Sequence, residues 1–488
     1  MIKEDKKYTV FKKVYEQYSN VIQKAIDSGN IERAMAAISV CSVLQYRWNQ
    51  SYTDDKLEEY TQKISDLTQN DAIKRKKTDG SVVLFYDGFG LDIRGLAYIY
   101  LKALISLGKK LIYVVPKEAK GRQTEIDLLF NNRNVIKEYI DNRSTYRSML
   151  EDIQGVFLKY SPGKAFFYSL PEDISGVVAF MHLAGVSDRF FIDLTDHAFW
   201  LGRNSFDYCV EFREYGSCIA NLKRHIDEKK IIILPFYPFI NHDKQFEGFP
   251  FDTKGKKVVF SGGALYKTFD VENTYYKMIG RILELNADVV FVYAGDGDSS
   301  GLNELKNRYE GRVFHIKERS DLFQLMKNIS IYINTYPIMG GLMTQYAAVA
   351  GKIPVILKYD DDCDGTLIDQ EKREIVYNSA AELVEDVTKL LSNSEYMEKR
   401  QALLKNSVIT ETEFRDQLEK VLSQKHSDYS YKIHEIDTVK MKKAYYDNFD
   451  INSVELDMAS GRNISLIRYL IKPYIRKAIL RVIKKREV

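Results

Sequence analysis

The stretch IYINTYPIMGGLMTQYAAVAGKIPVI, residues 331–356, constrains this chain more than any other. A buried β-run (Ile331, Tyr332, Ile333) passes through Tyr336-Pro337 into the pair Gly340-Gly341. A small-residue helix follows, stops at Gly351, and gives way to a second β-run from Ile353 to Leu357. A helical crossover between two strands makes them parallel neighbours. The helix start presents unbonded amides and the positive end of its dipole, and glycines let an anion approach them closely. Such a segment suits a diphosphate held without a Walker lysine. The plain alternative is an ordinary βαβ unit with a glycine cap.

The same theme repeats along the chain. Val82 to Tyr86 reads as a strand, Asp87-Gly88-Phe89-Gly90 as a glycine loop, Arg94 to Leu107 as a helix and Leu111 to Val115 as a strand. Gly155 to Leu158, Val177 to Met181, Phe190 to Leu194, Tyr208 to Phe212 and Ile231 to Leu234 are further expected strands. Phe236 to Phe251, rich in aromatics, Pro and Gly, suits an interdomain connector. A second series opens with Lys257 to Phe260 and the loop Ser261-Gly262-Gly263, then a helix from about Val271 to Leu285 and the strand Val289 to Tyr293. Arg312 to Ile316, Ile331 to Ile333 and Ile353 to Leu357 complete it. Repeated strand-helix alternation implies parallel sheets, and two such units in tandem place a ligand cleft at the carboxyl ends of their strands. The expected fold class is therefore α/β, with two Rossmann-like domains facing a central cleft.

Before them, Val10, Val14, Tyr18, Val21, Ile22 and Ile26 recur at helical spacing, Gly29-Asn30 breaks the run, and Ile31 to Tyr46 resumes it. A third helix is expected over Asp54 to Leu67, and Lys74 to Lys77 reads as a linker. An all-helical hairpin module of this kind docks on a neighbour or binds a protein partner. The expected divisions are 1–78 helical, 79–245 an N-terminal Rossmann-like domain, 246–425 a C-terminal Rossmann-like domain, and 426–488 an extension.

A chain of 488 residues with 45% apolar and 28% charged residues fits two or three soluble domains. The start MIKEDKKYTVF has no apolar stretch of a signal peptide, and no apolar run approaches the roughly 20 residues of a membrane span. Cys41, Cys209, Cys218 and Cys363 are scattered without CxxC spacing, so neither a zinc site nor a disulfide framework is indicated. A cytoplasmic protein is expected. Residues 464–488 carry eight Lys and Arg against Glu487, a local +7 within a chain total of +3, which leaves the body at −4. A mildly acidic body argues against nucleic-acid binding.

The basic tail has its own pattern. Ile467, Leu470, Ile471, Tyr474, Ile475, Ala478, Ile479, Val482 and Ile483 form an amphipathic stripe, broken by Pro473. Such a helix can lie on an anionic membrane surface, each basic residue contributing on the order of 1 kcal/mol. A peripheral position on the inner face of the cytoplasmic membrane is the expectation; packing on the N-terminal domain is the alternative.

Three loops of the second unit can converge on one ligand. Ser261-Gly262-Gly263 comes first, with Lys267 placed to neutralise a diphosphate. His315 and Ile316 end a strand whose main chain could meet a base edge, and Glu318 could accept from ribose hydroxyls. Pro337 and Gly340-Gly341-Leu342-Met343-Thr344 supply the helix start. Here a resemblance becomes clear. The half from about Lys257 to Leu357 resembles the donor-binding domain of GT-B glycosyltransferases, with VVFSGGALYK, YAGDG, RVFHI and NTYPIMGGLMTQYAAVAGKIPV at its donor-site segments. Asp196-His197-Ala-Phe-Trp200-Leu-Gly202 resembles a segment of O-GlcNAc-transferase-like enzymes and bacterial cytoplasmic protein glucosyltransferases, which also carry a helical module before the core. The likeness extends to related bacterial glycan-assembly transferases. Gly88 and Gly90 join the donor set by analogy with the second glycine loop.

Two departures from that superfamily matter. Retaining GT-B enzymes often carry a glutamate pair around the donor helix; the matching positions here are near Ile338 and at Tyr346. Its common Arg after the first glycine is Gly263, leaving Lys267 to neutralise the diphosphate largely alone. The resemblance thus implies a metal-independent, inverting transfer from a UDP-sugar, with no cofactor beyond that donor substrate. An inverting step needs a general base near the acceptor, for which histidine is suited. His182 follows the expected strand VVAFM, and His197 lies beside Asp196, which could orient it or act itself. Asp92 is a lesser candidate, since helix-initial aspartates often only cap. The run Asp360-Asp361-Asp362-Cys363-Asp364 could hold Mg²⁺ but reads better as a solvated loop. The acceptor implied is a glycan, a lipid-linked glycan or a protein. The competing reading is a catalytically silent GT-B module that binds glycan or stabilises a partner transferase.

Overall fold

In the computed structural model, residues 5–131, 134–141 and 145–451 are described. The first helix, α1 (Lys6–Asp27), is nucleated by Asp5, whose carboxylate accepts the amides of Lys7 at 2.9 Å and Tyr8 at 3.4 Å. Gly29, at φ 70°, turns the chain into α2 (Ile31–Trp48), capped by Asn30. Then come α3 (Asp55–Leu67), capped by Asp54, and the short α4 (Asp71–Lys74). Twelve of the eighteen α2 residues are buried, so this helix is core, not a solvent-facing hairpin arm. Ile22, Leu44 and Ile64 share one apolar cluster with Phe167, Val177 and Phe180 of the following domain. The helical module is thus docked on its neighbour.

The first sheet unit runs β1 (Asp79–Asp87), α5 (Ala97–Ser106), β2 (Lys110–Pro116), α6 (Thr124–Phe130), β3 (Val135–Ile140), α7 (Tyr146–Tyr160), β4 (Pro162–Tyr168), α8 (Ile174–Met181), β5 (Asp188–Ile192), β6 (Tyr208–Glu211), α9 (Glu214–Cys218) and β7 (Ile231–Ile233). All seven strands are parallel, in the order β3-β2-β1-β4-β5-β6-β7. Leu84 in β1 lies between Ile112 of β2 and Ala165 of β4, which marks the point where the strand order reverses.

Two expected strands are corrected. Gly155 to Leu158 belongs to α7, and Val177 to Met181 belongs to α8. All eight α8 residues are buried. A short helix apolar on every side has no 3.6 period and cannot be told from a buried strand by pattern. The true strand, β4, was hidden because its opening Pro162-Gly163 resembles a turn. β3 had no alternating signal either.

The second unit runs β8 (Lys257–Gly262), α10 (Thr274–Leu285), β9 (Val289–Ala294), α11 (Ser300–Arg308), β10 (Val313–Ile316), α12 (Leu322–Lys327), β11 (Ile331–Ile333), α13 (Gly341–Val349), β12 (Pro354–Leu357), β13 (Val376–Tyr377), α14 (Ala380–Ser392) and α15 (Ser394–Ala402). Its six strands are parallel in the order β10-β9-β8-β11-β12-β13, and the reversal falls between β8 and β11. The chain then returns. α16 (Glu411–Gln424), opened by a Thr410–Glu413 capping box, buries Phe414 edge-on against Tyr100 of α5, with centroids 5.1 Å apart. α17 (Val439–Asn448) and Phe449 pack on α2: Trp48 meets Tyr446 at 5.5 Å and Phe449 at 5.0 Å. The basic amphipathic stretch 464–488 lies outside the described residues. Among those described, no helix is long and apolar enough to cross a membrane.

Candidate active site

A cleft of about 900 Å³ opens where the two sheets face each other. It is lined from the first sheet by the loop after β5 (Leu194 to His197), by Phe212 and Arg213 after β6, and by Phe89 and Arg94 after β1. The second sheet contributes Lys267, Ile338, Met339 and the first residues of α13, Gly341 and Leu342. Both sets stand at strand carboxyl ends, and those after β1, β8 and β11 adjoin the two order reversals, the position expected for a ligand in open parallel sheets.

On the first wall, the loop Asp193 to Gly202 is fixed from many sides. Asp193 accepts the Thr195 amide at 2.9 Å and the Trp200 indole N–H at 2.9 Å. Arg224, almost wholly buried over the Trp200 ring, donates to the carbonyls of Thr195, Asp196 and Ala198 at 3.2, 3.1 and 2.8 Å. The helical module supplies the rest. Asn49, left-handed at φ 42° where α2 ends, donates to the His197 carbonyl and accepts the Phe199 amide, both at 3.1 Å. Glu58 of α3 accepts the amides of Gly202 at 2.8 Å and Arg203 at 3.2 Å. The module's documented work is therefore to hold this loop.

Asp196 and His197 both face the cleft. Asp196 is buried and takes two bonds from Arg213, Nε to Oδ2 at 2.6 Å and Nη2 to Oδ1 at 2.8 Å. Burial alone would push its pKa up, but the Arg213 pairing outweighs it and holds the carboxyl well below the usual range. Asp196 is thus a fixed anion and a poor proton acceptor near neutrality. Its Oδ1 lies 3.4 Å from His197 Nδ1, a long contact that orients the half-buried ring. Among the described residues no group bonds His197 Nε2. Behind them Glu211 is fully buried with Oε2 unpartnered, and burial together with the charges of Asp193 and Asp196 pushes its pKa far up. Burial pushes the Asp193 pKa up as well, so this crowded layer resists carrying three negative charges.

On the second wall, satisfaction is incomplete. No side chain caps α13, whose start is set by Gly340 with its own amide on Asn334 Oδ1 at 2.8 Å. The Lys267 backbone carbonyl accepts the Ile338 amide at 3.3 Å, tying the lysine turn to the loop before α13. Among the described residues no group bonds the Lys267 ammonium. Burial pulls its pKa down from the ordinary value, and the nearby charge of Asp362 offsets part of that. A half-buried cation beside open helix amides is what an anion site requires.

The two walls are joined. Arg213 Nη2 also donates to Asp362 Oδ1 at 2.6 Å, and its Nη1 bonds the Asp362 carbonyl. Arg94 bridges the cleft to Glu318 at 2.6 Å, between exposed side chains. Asp360 accepts the Met441 amide at 2.7 Å, and Asp361 accepts the Asp437 amide at 2.9 Å and pairs with Lys358 at 2.7 Å. The acidic run is therefore a structural clasp, which corrects the solvated-loop expectation. Its carboxylates do not gather into a metal-ligand set. Among the described residues the one such group is Asp193, Cys209 and Glu211, buried near the Arg224 guanidinium.

Several expected site residues lie elsewhere. His182 ends α8, not a strand; its Nδ1 meets Gln154 Nε2 at 2.6 Å and its Nε2 meets the Ser65 carbonyl at 2.9 Å, so it is a core histidine. In the first glycine loop, the Gly88 amide bonds the Tyr168 carbonyl at 2.8 Å and the Gly90 amide bonds Asp87 Oδ1 at 2.9 Å, so neither is open to a ligand. Asp92 caps α6 through the amides of Glu125 and Ile126. The Ser261 hydroxyl donates to the Ile333 carbonyl, Gly262 abuts Met343, and the Gly263 amide bonds the Ala294 carbonyl at 2.9 Å. Gly262 and Gly295 serve packing, a Cβ on Gly295 falling 1.9 Å from the Gly263 carbonyl oxygen, whereas the space at Gly263 is open and its φ of 136° is what favours glycine. The His315 ring bonds the Gly295 carbonyl at 2.7 Å, and Ile316's carbonyl accepts the Gly295 amide at 3.3 Å. Thr344 is buried and bonded to Asn334 at 2.8 Å, while Pro337 only precedes the lining residues. Tyr346 sends its hydroxyl to the Phe239 carbonyl of the connector, so that position carries structure where a carboxylate was looked for. Arg213, Arg224 and Asn49 escaped the sequence reading, because their partners are distant in sequence and nothing local marks them.

Known structures resemble the whole arrangement. A Thermobaculum terrenum O-GlcNAc transferase variant matches with a TM-score of 0.52 at 14% identity, over 89% of this chain and 84% of that one. An Anabaena protein, HepE, solved with UDP and glucose, matches with 0.51 at 12% identity, over 70% and 99%. A Listeria monocytogenes protein described as a putative UDP-N-acetylglucosamine 2-epimerase matches with 0.51 at 11% identity, over 70% and 96%. No family model matches the chain, nor does any curated protein. The chain has the two-domain GT-B fold.

Proposed function

We propose that this protein is an inverting glycosyltransferase that moves a sugar from a UDP-sugar to a hydroxyl acceptor without a metal. The observation that carries the reading is the opposition of two unlike sites across one cleft. On one side stands a histidine backed by a fixed carboxylate; on the other, an ammonium that no described residue bonds, beside a helix start without a side-chain cap. An O-GlcNAc transferase and a UDP complex among the structures it resembles support the nucleotide and the reaction class.

In this reading the acceptor oxygen forms a bond to the anomeric carbon as the bond from that carbon to the diphosphate oxygen breaks. The acceptor proton goes to His197 Nε2. Asp196, unable to take the proton itself, stabilises the imidazolium. The departing electron pair and its charge settle on the diphosphate, against Lys267 and the α13 amides. The amino acids at positions 338 and 346 leave no carboxylate for the alternative stereochemistry.

A panel of UDP- and GDP-sugars, followed by nucleotide release and by product anomer, tests the proposal. Slow hydrolysis or transfer with one donor, reduced roughly 10–100-fold in Lys267→Ala, is the expected result. Interconversion of the donor sugar without transfer would make the protein an epimerase. Binding of nucleotide without either reaction would leave the silent-module reading in its place.

A further inference from the structure

The cleft extends beyond the groups used above, into a vestibule built by elements outside both sheets. Its walls are Tyr46 and Arg47 at the end of α2, Tyr266 in the turn before Lys267, and Tyr445, Asn448 and Asp450 at the end of α17. Tyr46 and Tyr445 stand edge to face, with centroids 6.4 Å apart at 75°. Tyr266, 64% exposed, comes from the opposite domain and is the residue next to Lys267. The position is rigidly made. Gln50 donates to the Lys442 carbonyl at 2.8 Å, and Lys7 donates to the carbonyls of Tyr446 and Asp447 at 2.9 and 2.6 Å. Asp360 binds the Met441 amide from the far side.

We infer that this vestibule is the acceptor subsite and that it binds a saccharide, an assignment resting on the transferase reading above. The rings of Tyr46, Tyr266 and Tyr445 line it, with Tyr266 well exposed, and aromatic rings pack on the C–H surfaces of a pyranose; Asn448, also exposed, adds a side-chain amide for its hydroxyls. The walls are helix ends and a turn. An extended peptide is instead recognised by pairing its backbone with a free strand edge, and among the described residues no strand borders the vestibule. A saccharide seated there has one neighbour in Lys267's turn and looks across the cleft to His197, so a hydroxyl of its terminal ring is the group presented for transfer.

Saturation-transfer NMR on the full chain, with and without UDP, tests this using maltotriose, cellotriose, chitotriose and a serine-rich decapeptide as probes. At least one trisaccharide should bind when UDP is present. Tyr266→Ala and Tyr445→Ala should each weaken it by about tenfold, as loss of one ring contact implies. Tyr266→Phe and Tyr445→Phe, which keep the ring, should stay within about twofold, and that separates ring loss from misfolding. If UDP binds and no trisaccharide does, or only the decapeptide does, the subsite assignment is overturned and the donor reading stands. Trisaccharide binding that is lost in the Ala variants while UDP fails to bind would uphold the subsite and overturn the donor site. Binding unchanged in both Ala variants places the saccharide elsewhere and overturns the assignment.

Discussion

The two walls of the cleft are built on opposite principles. Around Asp193 to Gly202, donors and acceptors are matched by distant parts of the chain: Arg224 on three carbonyls, Arg213 on Asp196, Asn49 on His197, Glu58 on Gly202. Around Lys267 and α13, the ammonium and the first-turn amides find no such partners among the described residues. A group that must be aimed at a reacting atom needs its surroundings fixed. A surface that must accept charge at the moment of bond breaking needs donors not already committed to the protein. The contrast between saturation and openness is therefore a better guide to role than residue type. The glycine loops make the same point, since the one at Gly88 and Gly90 has its amides consumed internally.

The contrast can be broken from either side. His197→Ala should lower turnover by roughly 10²–10⁴-fold with donor affinity little changed, as loss of a general base does. Equal turnover in that variant would remove His197 from the chemistry. Arg213→Met leaves Asp196 buried without its cation and cuts the link to Asp362, so it should cost about 3–5 kcal/mol of stability in denaturant melts. A near-neutral result would show that the saturated wall does not depend on its charges.

Lys267→Ala attacks the open wall. It should reduce kcat/KM for the donor by roughly 10–100-fold, the size of a lost charge-assisted bond, with Lys267→Arg recovering part. Because no described residue bonds this ammonium, the melting midpoint should hardly move. A large loss of stability would mean that Lys267 belongs with the saturated groups after all.

A pH-dependent effect concerns Asp87, which binds the first glycine loop and the Tyr113 hydroxyl at 2.7 Å. Burial pushes its pKa up to about 6 from an ordinary 3.8. The folded chain then keeps this proton to a higher pH than the unfolded chain does. The contribution is full below about pH 4 and is lost as pH rises through about 6, up to about 3 kcal/mol. Stability measured against pH should fall less steeply over that window in Asp87→Asn than in the parent. Identical slopes would show that Asp87 is ionised throughout.

Much of the architecture was legible in the chain. The β1, β2, β8, β9, β11 and β12 runs are short, apolar and bounded by Gly, Asp or Pro, and the α1, α2 and α10 patterns have a clear helical period. The misreadings fell where that signal fails. α8 is apolar on all sides, so the strand expected there placed His182 at a cleft it does not reach. The glycines of SGG read as letting backbone reach a phosphate; Gly262 abuts Met343, whereas a Cβ on Gly263 would meet nothing within 4 Å, its φ of 136° being what favours glycine there. Asp196, His197, Lys267, Gly341 and Leu342, all named from sequence, do line the cleft.

Local sequence by itself determined most of the strands and helices, and the pairing of two parallel α/β units. Periodicity and punctuation act over a few residues, so they survive without knowledge of the rest. Only the tertiary structure decided which polar groups are consumed and which remain open, because that depends on partners up to hundreds of positions away. Arg213 meeting Asp362, and Asn49 meeting His197, are encounters that no window along the chain contains.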